Sequence, residues 1–205
     1  MKQKAQSRIL AILLIFCLFA GLFPCAGIAA SAAELPSVSA NTIAAEEKDE
    51  TWLQSEIDRA TKDQAIVLPA KDLTLTKPII IPEGKAVIIK GVDKDKSIIT
   101  TELKDEWKPS DKALLIMEAH STLTIENLTI DGNNRARCIL VNEGKSELTL
   151  TNVTIQNGAS TQYSGVAIHS SHPSGEDGNK IEIKEGCVFK DNIASTTNPT
   201  SGGAI

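Results

Sequence analysis

Eight residues, Leu123-Thr124-Ile125-Glu126-Asn127-Leu128-Thr129-Ile130, return 25 positions later as Leu148-Thr149-Leu150-Thr151-Asn152-Val153-Thr154-Ile155. Apolar, polar and asparagine positions all coincide. A third copy, Ile181-Glu182-Ile183-Lys184, runs on to Phe189 with one residue inserted around Gly186-Cys187, so Ile130, Ile155 and Phe189 fall in one column. A second echo lies between these copies, where Ser164-Gly165-Val166-Ala167-Ile168 matches Ser201-Gly202-Gly203-Ala204-Ile205. Each period thus holds at least two strands, because Leu-Thr-Leu-Thr alternates with the period of two that puts successive side chains on opposite faces. A unit this small cannot bury an apolar face by itself, so the copies must stack.

Short strands, glycine or asparagine at the corners and few aromatics predict an all-β fold, a right-handed single-stranded parallel β-helix. In that fold each coil pairs with the next at ~4.8 Å and like side chains stack in columns. Asn127 above Asn152 fits a corner, since asparagine tolerates the left-handed conformation and its amide can bond from rung to rung. The same residues open the sequences Asn127-Leu128-Thr129 and Asn152-Val153-Thr154, which also read as glycosylation sequons. Further strands are expected at Ala65-Ile66-Val67-Leu68, Leu73-Thr74-Leu75-Thr76, Ile79-Ile80-Ile81 and Val87-Ile88-Ile89, each bounded by proline, glycine or polar residues. The stretch from Glu102 to Lys112, with Trp107-Lys108-Pro109, breaks the rhythm and reads as a surface excursion. Residues 65–205 would then form about five to six coils, a rod ~25 to 30 Å long.

The first 32 residues have a different character. Residues 1–8 are polar and basic, Ile9 to Phe23 are almost wholly apolar, and small residues follow, with Ala30-Ser31-Ala32 as a cleavage site. That pattern predicts a secretory signal peptide cut near Ala32, and an uncleaved anchor is the alternative. The apolar run of ~15 residues is short of the ~20 a membrane-spanning helix needs. Lys2, Lys4 and Arg8 lie in this stretch with no acid, which leaves 18 of the 21 basic residues against all 26 acidic ones in the remainder. A net negative chain argues against nucleic acid as a partner. Three of the four Phe (Phe16, Phe19, Phe23) leave with the signal, so the exported core must be aliphatic. Cys17 and Cys25 leave too. Cys138 and Cys187 remain, either as small hydrophobes or as one bridge between stacked neighbours.

Residues 33–48, small and polar with an acidic end, read as a linker. Residues 49–64 are expected to form an N-terminal capping α-helix. Thr51-Trp52-Leu53-Gln54 fits a capping box, and Leu53, Ile57 and Ala60 share one face that can plug the open end of the first coil.

Phe189-Lys190-Asp191-Asn192 followed by Gly202-Gly203-Ala204-Ile205 resembles the paired FxxN and GGA[ILV] motifs of polymorphic outer-membrane-protein repeats. Such repeats occur in secreted bacterial β-helix proteins of the wider pectate-lyase-like superfamily. The resemblance is close for residues 181–205 and degenerate at Ile155 to Gly158 and Gly165 to Ile168. It implies surface display, adhesion or carbohydrate contact, and it is specific for repeat type rather than activity.

Stacked columns lie ~5 Å apart, near the separation of a retaining glycosidase pair, so two acids in one column would mark an active site. The columns Asp131, Gln156, Lys190, then Gly132, Asn157, Asp191, then Asn133, Gly158, Asn192 hold no such pair, nor do Thr124, Thr149, Glu182 or Glu126, Thr151, Lys184. Lyases of the superfamily usually combine acidic calcium ligands with an Arg or Lys base. Asp131 with Arg135 and Arg137 is the one such group here, and a loop of mixed charge explains it as well. His169 and His172 with Glu176 and Asp177 could bind a metal, but Pro173, Gly175 and Gly178 suit a solvated loop. His120 reads as a turn residue.

No catalytic residue, cofactor site or metal site is therefore assigned. The function expected is that of an exported, noncatalytic β-helix repeat module of a bacterial cell-surface or secreted protein, contacting a glycan or host surface. The alternative is a polysaccharide lyase or hydrolase with its catalytic coils beyond residue 205. Ile205 falls inside a repeat, so the chain reads as the amino-terminal piece of a longer protein, and residues 33–205 are expected to self-associate through an uncapped coil.

Overall fold

Among the described residues, strands pair with strands one turn away and never with their neighbours in sequence. The computed structural model describes residues 48–102, 113–142, 144–160, 165–171, 178–194 and 205, all within one unit, Ile43–Ile205. The expected signal peptide, most of the linker, the excursion around Trp107 and the Gly202-Gly203-Ala204 motif lie outside the described residues.

Strands are numbered in chain order. The first sheet holds β1 (Ala65–Leu68), β4 (Ala86–Gly91), β7 (Thr122–Glu126), β10 (Glu147–Thr151) and β14 (Lys180–Ile183), in that order. The second holds β2 (Asp72–Leu75), β5 (Ile98–Thr101), β8 (Thr129–Asp131), β11 (Thr154–Gln156) and β15 (Val188–Lys190). The third holds β3 (Ile79–Ile81), β6 (Ala113–Met117), β9 (Arg137–Val141) and β13 (Ile168–Ser170), and β12 (Ala159–Ser160) pairs with β16 (Ile193–Ala194). Every pairing among the described residues is parallel. Among the described residues the fold is all-β, with parallel sheets and one short helix, consistent with a parallel β-solenoid.

Register follows the repeat. Leu123 faces Leu148 and Leu148 faces Ile181, while Ile130 faces Ile155 and Ile155 faces Phe189. The period itself is uneven. Thr129 to Thr154 spans 25 residues, but Glu147 to Lys180 spans 33 and Ile79 to Leu115 spans 36. The strands fix each rung, and connections between strands can lengthen at little entropic cost because closure entropy grows only with the logarithm of loop length.

One aliphatic core runs through the stack. Ile79, Leu115, Ile139 and Ile168 are in register and fully buried, as are Ile125 and Leu150. In the third sheet the opposite parity is buried too, with Leu114 and Cys138 fully enclosed and Leu140 only 6% exposed. Its strands accordingly read as unbroken apolar runs such as Ala113-Leu114-Leu115-Ile116-Met117, the pattern of a strand covered on both faces.

Helix α1 (Glu50–Arg59) lies against the first rung. Its cap differs from the sequence expectation. Asp49, not Thr51, is the N-cap, and its carboxylate accepts from the Trp52 N–H at 2.9 Å. An ionised acceptor at the positive end of the helix satisfies an orphan donor better than the threonine hydroxyl two residues later. Leu53 and Ile57, one turn apart, are fully buried, and Ala60 closes the apolar face at 9% exposure. The polar side of the helix also binds the rung. The Gln54 amide donates to Ile80 O at 2.9 Å and accepts from Ile80 N at 2.9 Å, on the side where β3 has no neighbouring strand among the described residues. Glu50, one turn earlier, accepts from the Thr76 and Lys77 amides and from the Thr76 hydroxyl. Gln54→Ala should therefore cost about 1–2 kcal/mol by leaving the Ile80 backbone unsatisfied. Amide exchange should show it as faster loss of protection at Ile80 than at Ile116.

Candidate functional site: the polar corners

Two columns of polar residues mark the corners between sheets. At the first corner Asn127 and Asn152 have φ of 58° and 50°, in the left-handed region. The Asn152 amide donates to Asn127 Oδ1 at 2.8 Å, and the Asn127 amide donates to Gly91 O at 3.0 Å. Glycine bounds this ladder on both sides. A Cβ on Gly91 would sit 2.2 Å from Asn127 O, and one on Gly186, at φ 75°, would sit 2.9 Å from Asn152 Oδ1. Both sequon amides are thus committed to the ladder, and Thr129 and Thr154 are buried beside it.

The second corner centres on Asp131. Its Oδ1 accepts from Asn133 N at 2.8 Å and from Asn157 Nδ2 at 3.0 Å, and its Oδ2 accepts from Gln156 Nε2 at 2.6 Å and again from Asn157 Nδ2 at 3.0 Å. These bonds fill the lone-pair sites of a carboxylate that a calcium ion or a substrate proton would need. One rung on, Asn192 donates to Ile155 O at 3.0 Å and accepts from Gly158 N at 2.9 Å. The Phe189 and Asn192 of the FxxN motif therefore have separate structural tasks, one in the core column and one as a clamp on the preceding turn.

Gly158 and Asn192 stack as expected, just before the paired Ala159 and Ile193, but Asn133 does not join their column. Asn133 and Asn134 take φ of 49° and 56°, and the Asn133 amide reaches back to Thr101 O at 2.8 Å. Gly132 keeps its expected place beside Asn157: its amide donates to Gln156 O at 2.9 Å, and a Cβ on it would be 2.6 Å from Asn157 O. The reason is length: Ala136 accepts from Ala159 N, so residues 133–135 are an extra loop with no counterpart in the next turn.

Arg135 is exposed in that loop, whereas Arg137 is buried at the start of β9 opposite Ala113. His169 lies on β13 in register with Leu140. His172, Glu176 and Asp177 lie outside the described residues. His120 occupies the turn before β7 at φ 57°, with Nδ1 3.6 Å from Glu83. No group of three or more potential metal ligands occurs among the described residues. On the outer face of the first sheet the acids alternate with lysines, giving Lys90–Glu126 at 3.2 Å, Lys184–Glu182 at 3.7 Å and Lys180–Glu147 at 4.0 Å. Among the described residues no register column there brings two carboxylates together.

Cys138 and Cys187 are free thiols. Cys138 is enclosed, with Sγ 3.7 Å from Gln156 O, and burial, with a smaller push from the Asp131 charge, drives its ionisation far above the ordinary value of 9.0. The unfolded chain then loses this proton first as pH rises. Stability should fall above pH 9 by about 1.4 kcal/mol per unit, and urea titrations should find that slope reduced in Cys138→Ala.

Comparison with protein-family models, curated proteins and solved structures finds no match. The likeness to polymorphic outer-membrane-protein repeats rests on the motif residues themselves.

Proposed function

We propose that this chain is a right-handed parallel β-helix module, exported by its first 32 residues, that contacts a glycan or host-surface partner without catalysing a reaction. The right-handed sense is supported by the general preference of crossovers between parallel strands of one sheet for that hand. The noncatalytic reading is supported above all by Asp131, whose oxygens are held by Asn133, Gln156 and Asn157. Export is supported by the basic start, the apolar run to Phe23 and Ala30-Ser31-Ala32. The repeat motifs at Phe189 and Gly202 support surface display.

The test has two readouts. The full chain made in a bacterium should leave the cytoplasm with Ala33 as its first residue, and the exported protein should bind members of a glycan array without shortening them. Retention with Met1 intact would overturn export. New reducing ends or unsaturated sugars from an arrayed polysaccharide would overturn the noncatalytic reading in favour of a lyase or hydrolase.

A further inference from the structure

Asn157-Gly158 is the one Asn-Gly pair in the sequence. The backbone nitrogen that follows an asparagine can attack its side-chain carbonyl carbon, and glycine puts no side chain in the way. Asn127, Asn152 and Asn192 are followed instead by the branched residues Leu128, Val153 and Ile193. At Asn157 both reacting groups are held elsewhere in the native corner. Its Nδ2 donates to both Asp131 oxygens at 3.0 Å, and the Gly158 N–H donates to Asn192 Oδ1 at 2.9 Å. Asn192 is anchored in turn by its donation to Ile155 O at 3.0 Å, and the Ile193 N–H donates to Gly158 O at 2.8 Å.

We propose that Asn157 is a site of spontaneous deamidation that Asn192 keeps closed, and that the product cannot restore the corner. In the first step the Gly158 nitrogen loses its proton to solvent and bonds to Asn157 Cγ. The Cγ–Nδ2 bond breaks, and ammonia leaves with a proton taken from solvent. Water then opens the succinimide at either carbonyl to give aspartate or isoaspartate, and nothing is oxidised or reduced. Attack needs the Gly158 N–H released from Asn192 and the Asn157 amide turned off Asp131, so it proceeds only when this turn opens locally. Either product replaces the amide donor that Asp131 held with a second carboxylate, which accepts only and carries the same charge. The inference is independent of export and of any glycan partner.

The test is peptide mapping by mass spectrometry of the full chain held in mildly alkaline buffer made with heavy-oxygen water. Deamidation at Asn157 should be about tenfold or more slower in the native protein than in urea. Asn192→Ala should speed the native reaction about fivefold or more and leave the rate in urea unchanged, since it removes the acceptor of the Gly158 N–H. Asn192→Asp keeps that acceptor and should stay closer to wild type than to Asn192→Ala. Asn157→Asp, which makes the normal product directly, should unfold at lower urea than wild type. Equal rates in native buffer and urea, an Asn192→Ala rate equal to wild type, an Asn192→Asp rate equal to Asn192→Ala, or an unchanged midpoint for Asn157→Asp would each overturn the proposal.

Discussion

Ile155→Ala should lower the unfolding free energy by about 3–5 kcal/mol, the upper part of the range for a large-to-small change in a closed core. Ile155 is fully buried in register between Ile130 and Phe189. In a stack where each turn touches only its neighbours, the lost methyl groups leave a void at two interfaces, and the hydrogen-bonded rungs on either side cannot collapse into it. Phe189→Ala is the control. Its ring is only partly buried, so truncation should cost about 1–2 kcal/mol, less than a fully enclosed aromatic. Urea denaturation measures both, and native-state amide exchange shows which rungs open. A loss below ~1 kcal/mol for Ile155→Ala would mean that this column is not a packed interior.

The second large effect belongs to the corner. Asn152→Ala should cost about 2–4 kcal/mol, since it leaves Asn127 Oδ1 without its donor and forces a Cβ-bearing residue without a local hydrogen bond into the left-handed region. Asn152 holds φ 50° and donates to Asn127 at 2.8 Å. Asn152→Gly separates the two causes. It loses the same bond but relieves the backbone, so it should be about 1 kcal/mol less damaging than alanine. Equal losses for glycine and alanine would show that the ladder, not the conformation, accounts for the whole effect.

Positions that repeat were legible in the sequence. Leu148 over Leu123, Ile155 over Ile130 and Asn152 over Asn127 could be read from the 25-residue echo, because a rung-stacked residue sees the same environment one turn later. Ser121 and Ser146 share that offset. Both hydroxyls donate to Glu118 O, at 2.6 Å and 2.9 Å, and the spacing alone could have revealed them. Positions that occur once were not legible. Gln54 pairs with the backbone of Ile80, 26 residues away, through an amide that any surface glutamine carries. Asn133 left its expected column because an insertion of three residues changes the path of the chain without changing its composition. The Asp131 column was found by register, but the saturation of its oxygens depended on the Gln156 and Asn157 side-chain amides turning toward it and on the Asn133 backbone N–H, which sequence spacing does not encode.

The rung-on-rung register is the claim on which the remainder rests. With the four native cysteines replaced by alanine, nitroxide labels at Thr124 and Thr149 report it through electron paramagnetic resonance. These residues face each other on adjacent parallel strands, so their backbones should lie ~5 Å apart. The doubly labelled protein should show strong dipolar and exchange broadening that neither single label shows. Narrow lines from the double label, matching the sum of the singles, would contradict the stacked register.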